Sequence, residues 1–323
     1  MVSELRTDLY EPLFPAFGDR LRAGVALARY TAARLGGEAD LLLEAHSVSD
    51  LELAAEISWS NGIPFVVMGG GSNVLVSDAG FHGLVVLNKA KGVRFIDDTL
   101  NPAIWAESGA NFGLVARQAA QHGFSGLEWA AGIPGTVGGA VVGNAGAHGG
   151  DMAGNLILAE ILHRTQANAG VICRREEWEV DQFEYAYRSS ILKRQPGNAI
   201  VLAVKLKLQP GEPEKILAKL DELSDYRKRT QPPGASMGSM FKNPPGDFAG
   251  RLIEAAGLKG RRQGNVQIST VHANFFVNDG RAKAADVYKL ITMVHETVLK
   301  QLGVSLELEI ELIGDWQQAG LNG

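Results

Sequence analysis

The sequence predicts a two-domain α+β protein, and three observations carry that reading. Its 323 residues make about two domains at roughly 150 residues each. From about residue 41 to 210, short apolar runs of strand length alternate with amphipathic segments of helical spacing. After the breaker Gln231-Pro232-Pro233-Gly234, a second compact helix-and-strand pattern begins. Apolar residues at 46% and charged residues at 21% exclude a disordered or fibrous chain. Lys+Arg 31 against Asp+Glu 36 gives a net charge of −5, so no global basic field recruits nucleic acid.

Cys173 is the single cysteine, which excludes an intrachain disulfide and a Cys-based zinc site. Its neighbours Val171 and Ile172 make it an inert strand residue. No stretch reaches the ~18 apolar residues of a membrane helix, and residues 1–10 have no apolar core of a secretory signal. A cytoplasmic protein with no membrane insertion is expected.

In order along the chain, Ser49 and Glu52 form a capping-box pattern for a helix that Asn61-Gly62 stops. Residues 64–68, 74–76 and 84–87 read as strands, with a turn at Ser77-Asp78-Ala79-Gly80. Residues 110–122 have helical spacing, with Leu114, Ala116 and Ala119 on the apolar side. Residues 123–150 read as a long glycine-rich loop. Strands are expected at 156–162, 171–178 and 199–206, and a charged surface helix at 212–229. A helix over 248–256, strands at 266–269 and 274–277, and a helix over 284–302 closed by Gly303 follow. Residues 305–313 alternate strictly and make the clearest strand. The expected division is 1–210, 211–302 and 303–323.

The chain has 39 glycines, above the background of about 7%, and they cluster without a collagen-like period. One cluster is Gly69-Gly70-Gly71-Ser72-Asn73, directly after a strand. The other runs Gly132-Ile133-Pro134-Gly135-Thr136-Val137-Gly138-Gly139 and on through Gly143-Asn144-Ala145-Gly146. Such runs let backbone N–H groups converge on an anion. Neither holds Lys or Arg, so amides and hydroxyls would bear a phosphate. Gly-Lys-Ser/Thr is absent, so this is not a Walker A loop. Val74 stands where the third glycine of a dinucleotide fingerprint should fall. Tight turns in a sheet-rich fold are the plain alternative.

These loops, with Gly123-Phe124-Ser125-Gly126-Leu127-Glu128, Tyr187-Arg188-Ser189-Ser190 and Gly238-Ser239-Met240-Phe241-Lys242-Asn243-Pro244, carry a resemblance. So do residues 255–260, His272-Ala273-Asn274-Phe275 and Leu306-Glu307-Leu308-Glu309. In this order, from about residue 30 to 314, they resemble the UDP-N-acetylenolpyruvoylglucosamine reductase family, in its compact subgroup without an extra lid.

The resemblance implies an α+β protein with a vanillyl-alcohol-oxidase-type FAD-binding domain, a smaller α+β substrate domain and a last strand returning to the active site. It implies a monomeric flavoenzyme of peptidoglycan precursor synthesis with non-covalent FAD, NADPH as co-substrate, a UDP-sugar substrate and no metal. The FAD would lie against Gly69, Gly70, Gly71, Ser72, Asn73, Gly132, Ile133, Gly135, Thr136, Gly139 and Gly146. Asn243, Gln231, Arg227 and Tyr187 would contact the UDP-sugar. NADPH would reduce FAD, and the reduced flavin would pass a hydride to the vinyl carbon of an enolpyruvyl ether. Ser239 would protonate the adjacent carbon, Arg188 would hold the carboxylate, and a protonated Glu309 would hydrogen-bond it.

Without the motifs, Ser239 reads as a turn residue, Arg188 as a surface cation following Tyr187 on a strand, and Glu307, Glu309 and Glu311 as a solvated face. Like-charge repulsion lets at most one of the three enter a closed site. His272 and Asn274 read as structural. The sequence departs from the family at His148, often tyrosine there, at Glu311, often basic, and by an extra residue between Thr31 and Gly37. Another FAD enzyme of the same fold acting on a small alcohol or sugar, and a non-catalytic nucleotide-binding module, are the competing readings.

Overall fold

The computed structural model describes residues 7–316 apart from Asp97, Thr99, Asn168 and Ala169. Residues 1–6 of the stretch 1–10, on which the absence of a secretory signal was expected, lie outside the described residues, as do residues 317–323.

The helix Val48–Ser60 starts at Ser47, whose Oγ accepts from the Asp50 N–H at 3.1 Å. Ser47 has the extended backbone that a cap requires, so it takes the place expected of Ser49. Four strands in the order Arg22–Ala26, Glu38–Ala45, Phe81–Asn88, Phe65–Met68 form one sheet. Phe65–Met68 runs parallel to its neighbour, with Phe65 opposite Leu84 and Met68 opposite Leu87. A second, five-stranded antiparallel sheet has the order Gly170–Glu179, Leu156–Ala167, Ala199–Lys207, Ala103–Glu107, Val93–Ile96.

The helix Phe112–Gln121 is capped by Asn111 and buries Phe112, Val115, Ala116 and Ala119. Counting the apolar stripe from Phe112 puts Leu114 off it, and Leu114 is 61% exposed rather than core-facing. The stretch 123–150 is not all loop. Val137–Gly143 is helical, opened by Thr136, whose Oγ1 accepts from the Gly139 N–H at 3.4 Å, and closed by left-handed Asn144.

Two compact units share the chain. One takes Met1–Ala23, Asp40–Gly69 and Gly83–Asp225; the other takes Gly24–Ala39, Gly70–His82 and Tyr226–Gly323. The last break falls inside the helix Pro213–Thr230, before the Pro-Pro-Gly breaker. This differs from three consecutive blocks at 1–210, 211–302 and 303–323, because early segments belong with late ones. Val74–Val76 pairs in parallel with Glu311–Ile313. Only those three residues of the expected strand 305–313 are in a ladder; Leu308 makes an isolated bridge to Phe241. Leu306 and Ile310 are buried as the alternation requires, but Leu312 is exposed.

The first unit has two apolar cores. One packs Phe112, Trp129, Val137 and Phe183 against the five-stranded sheet; the other gathers Leu13, Leu43, Leu51, Trp59 and Leu84. The second unit has one core, built on Phe241, Leu252, Phe276, Leu290 and Val294.

Candidate active site

In the first unit Gly69, the first residue of one glycine loop, meets the other loop. A Cβ at Gly69 would stand 2.3 Å from Thr136 Oγ1, so the threonine that caps Val137–Gly143 occupies the space a side chain would need. Gly132 and Gly135 have φ of 68° and 118°. The loop thus winds into a helix start, capped by the Thr136 hydroxyl at the Gly139 N–H, and it holds no basic residue. That donor set, neutral and rich in main-chain N–H, fits a diphosphate-bearing cofactor.

Beside it lies a cleft of about 900 Å³ whose lining includes Asn144, Gly146, Asp151, Tyr185, Tyr187 and Arg188. Arg188 is on a tight turn, with Ala186 bridged to Ser189, and not on the strand expected. Its φ is 54°, a conformation that non-glycine residues hold only where surroundings impose it. Its guanidinium donates to Gly146 O at 2.6 Å and to Asn144 O at 3.5 Å, and lies 5.4 Å from the Tyr187 ring centre. The tail of the second glycine loop and the candidate anchor are therefore one structure.

Asn144 joins them further. Its Nδ2 donates to Ala186 O at 3.1 Å, and its Oδ1 accepts from the Ala153 N–H at 3.0 Å. Sequence reasoning missed this role, although Gly-Asn after a helical run signals a left-handed cap. Burial, reinforced by the Asp151 charge, pushes the Tyr185 phenol far above its ordinary range, so it stays protonated.

In the second unit, Gly71 has φ 60° and its O accepts from the Ala32 N–H at 2.9 Å. Asn73 Nδ2 donates to Glu309 O at 3.2 Å, and the Glu311 N–H donates to Asn73 O at 2.9 Å. Ser239 follows Gly238, at φ 80°, on a short extended segment bridged on one side to Phe275 and, at Phe241, to Leu308 on the other. The Glu309 N–H donates to Met240 O at 2.9 Å. Asn73, Ser239 and Glu309 thus stand on neighbouring segments.

Glu307 is solvated and paired with Lys242 at 3.1 Å. Glu309 and Glu311 are both half-buried.

Arg227 donates to Gln231 Oε1 at 3.3 Å at the end of Pro213–Thr230. Asn243 has a structural task unseen in the sequence: its Oδ1 accepts from the Ala249 N–H at 3.0 Å and caps Ala249–Ala255. Burial holds the His272 imidazole below the usual histidine range, and its Nδ1 accepts from the Asn274 N–H at 3.2 Å. Arg188 belongs to the first unit, Ser239 and Glu309 to the second.

Residues 39–162 match the model of an FAD binding domain, and residues 229–313 match UDP-N-acetylenolpyruvoylglucosamine reductase, C-terminal domain. UDP-N-acetylenolpyruvoylglucosamine reductase of Rubrobacter xylanophilus is 44% identical over 94% of this chain and 97% of its own. That of Chloroflexus aggregans is 41% identical over 91% and 97%. The crystal structure of the Thermus caldophilus reductase superposes with a TM-score of 0.73 at 37% identity, covering 91% of this chain and 99% of that one. The α+β class with an FAD-binding domain ahead of a smaller one is as the sequence led us to expect. The chain belongs to the UDP-N-acetylenolpyruvoylglucosamine reductase family, FAD-dependent oxidoreductases of peptidoglycan precursor synthesis.

Proposed function

We propose that the protein, a cytoplasmic monomer, uses NADPH to reduce UDP-N-acetylglucosamine enolpyruvate to UDP-N-acetylmuramate, with Ser239 as proton donor. When bound, FAD supplies two-electron transfer to the enolpyruvyl double bond. The carbon next to the carboxylate is then an enolate carbon and needs one proton. A serine hydroxyl is a weak acid, so it serves only where its position is fixed. The observation that carries the reading is that fixation: the segment bearing Ser239 is bridged at Phe275 and at Leu308, with Glu309 bonded to Met240 between them.

Arg188, held at Gly146 O and beside Tyr187, supplies positive charge for the substrate carboxylate as it gains enolate character. The role proposed for Glu309 is that of a protonated carboxyl donating a hydrogen bond to the substrate. Gly69, Gly132, Gly135, Thr136 and Gly146, with Gly70 to Asn73, Ile133 and Gly139, take the cofactor. Tyr187, Gln231 and Arg227 contact the UDP-sugar, as does Asn243 through its amide nitrogen, since its oxygen is committed to Ala249. Among the described residues no helix is long and apolar enough to cross a membrane.

Stopped-flow flavin absorbance separates the two half-reactions. Ser239→Ala should leave reduction by NADPH near wild type and slow reoxidation by the enolpyruvyl substrate by roughly 10²–10⁴-fold. Equal slowing of both steps would show that Ser239 positions the loop and is not the donor. NADPH consumption independent of the enolpyruvyl UDP-sugar would favour a different substrate on the same cofactor fold.

A further inference from the structure

Asn274 is 3% exposed, and its carboxamide bonds twice to one residue. Its Oδ1 accepts from the Phe241 N–H at 3.0 Å, and its Nδ2 donates to Phe241 O at 2.8 Å. Its own carbonyl accepts from the Met240 N–H at 2.8 Å, and the next residue, Phe275, is the one bridged to Ser239. A carboxamide is a side-chain copy of the peptide group, so the pair of bonds at Phe241 does the work of one rung in a strand ladder. It is needed because 239–241 is not part of a regular strand and has only isolated bridges.

An apolar side chain of similar size would fill the space, but it would leave two main-chain groups of Phe241, itself 1% exposed, without those bonds. Asn274 is in turn oriented by its N–H on His272 Nδ1, and the His272 ring packs edge-on to Phe275 at 5.0 Å.

We propose that Asn274 is the positioning residue for Ser239: its carboxamide fixes the main chain two residues beyond the serine, so that the hydroxyl is presented at one place. This rests on the reading of Ser239 as proton donor. The general acid needs hydrogen-bond reach to a carbon that forms only transiently, and misplacement by about 1 Å costs up to roughly 100-fold.

The test uses the full-length flavoenzyme carrying Asn274→Ala or Asn274→Asp, each alone and combined with Ser239→Ala. Hydrogen exchange at Met240–Phe241 should quicken by roughly fivefold in Asn274→Ala, the scale of one lost hydrogen bond, with Leu156–Ala167 unchanged. Flavin reduction by NADPH should hold, while reoxidation by the enolpyruvyl substrate slows roughly 10–100-fold. In the Ser239→Ala background the same substitution should add no more than about twofold, because it acts through the serine. Asn274→Asp keeps the acceptor and the volume but sets a carboxylate oxygen against the buried Phe241 carbonyl, so it should slow reoxidation at least as much as alanine.

Equal slowing with and without Ser239, or unchanged reoxidation or exchange, overturns the proposal. Loss of fold in both Asn274 variants does so too, since it assigns the residue to the fold at large. If Ser239→Ala slows reoxidation and the Asn274 variants do not, this proposal alone falls. If Ser239→Ala leaves reoxidation intact, the reading of Ser239 falls first and takes the proposal with it.

Discussion

A Cβ at Gly71 would stand 2.1 Å from the Tyr30 carbonyl oxygen, at a φ of 60°. Backbone cannot yield as a flexible side chain can, so Gly71→Ala should cost about 2–4 kcal/mol from backbone strain and overpacking together. The glycine is thus required by its neighbouring chain whether or not a phosphate binds. Gly135→Ala meets the φ of 118° and should lose flavin at a smaller cost of about 1–3 kcal/mol. Thermal melts with flavin absorbance separate the two; a wild-type melting temperature for Gly71→Ala would contradict the first.

At His272, burial and then the nearby Lys259 favour the neutral ring, against its own main-chain hydrogen bond and Glu254. The unfolded chain therefore takes up a proton that the folded one resists. The contribution is fully present above the unfolded pKa of about 6.5, declines as pH falls from there to the depressed folded value, and changes no further below it. Denaturant midpoints measured from pH 7.5 down to 5 should show this slope in the wild type and a flatter one in His272→Gln.

Helix ends and strand partners divide what could be read locally from what could not. Ala284–Leu302 and its stop at Gly303 follow from a 3.6-residue period and a left-handed glycine, both written in adjacent residues. Its first residue, Ala284, is as expected, but the cap there does not follow in this way. The Asp78 carboxylate accepts from the Ala284 and Ala285 N–H groups, each at 2.9 Å, across more than 200 residues of sequence. Asp78→Ala should cost about 1–2 kcal/mol, with Asp78→Asn recovering part of it, as urea unfolding would show.

Val137–Gly143 was illegible for the opposite reason. Its three glycines each oppose a helix by about 1 kcal/mol, so local propensity speaks against it. A Cβ at Gly138 would come 2.9 Å from Ser108 Cβ, and close packing there demands the glycine. The site divides likewise. The glycine loops, Arg188, Ser239 and Glu309 stood out through the family motifs. Asn144 and Asn274 lay in the same motifs, Asn274 read only as structural, but what each one holds was not legible, because an asparagine's partners are fixed only when distant segments meet.

At the scale of the whole molecule, the division of the chain into interleaved pieces governs what can be cut. The second unit contains Gly24–Ala39 and Gly70–His82, and Leu35 and Leu75 lie in its core beside Phe241 and Leu252. A fragment beginning at Tyr226 should therefore lack part of its own core and fail to give a cooperative melt. A sharp calorimetric transition from that fragment would contradict the partition.

The parallel pairing of Val74–Val76 with Glu311–Ile313 also sets a clock. Asn73 and the Glu309 carbonyl it serves are 236 residues apart. At about 5–20 residues per second of synthesis, the early strand waits roughly 10–50 s for its neighbour. Its open edge is exposed throughout that interval, while strands that pair nearby, such as Leu156–Ala167 with Gly170–Glu179, can already close. The chemistry assigned to Ser239 and Glu309 would accordingly be the last property a newborn chain acquires, and the interval before it the time when a chaperone has most to protect.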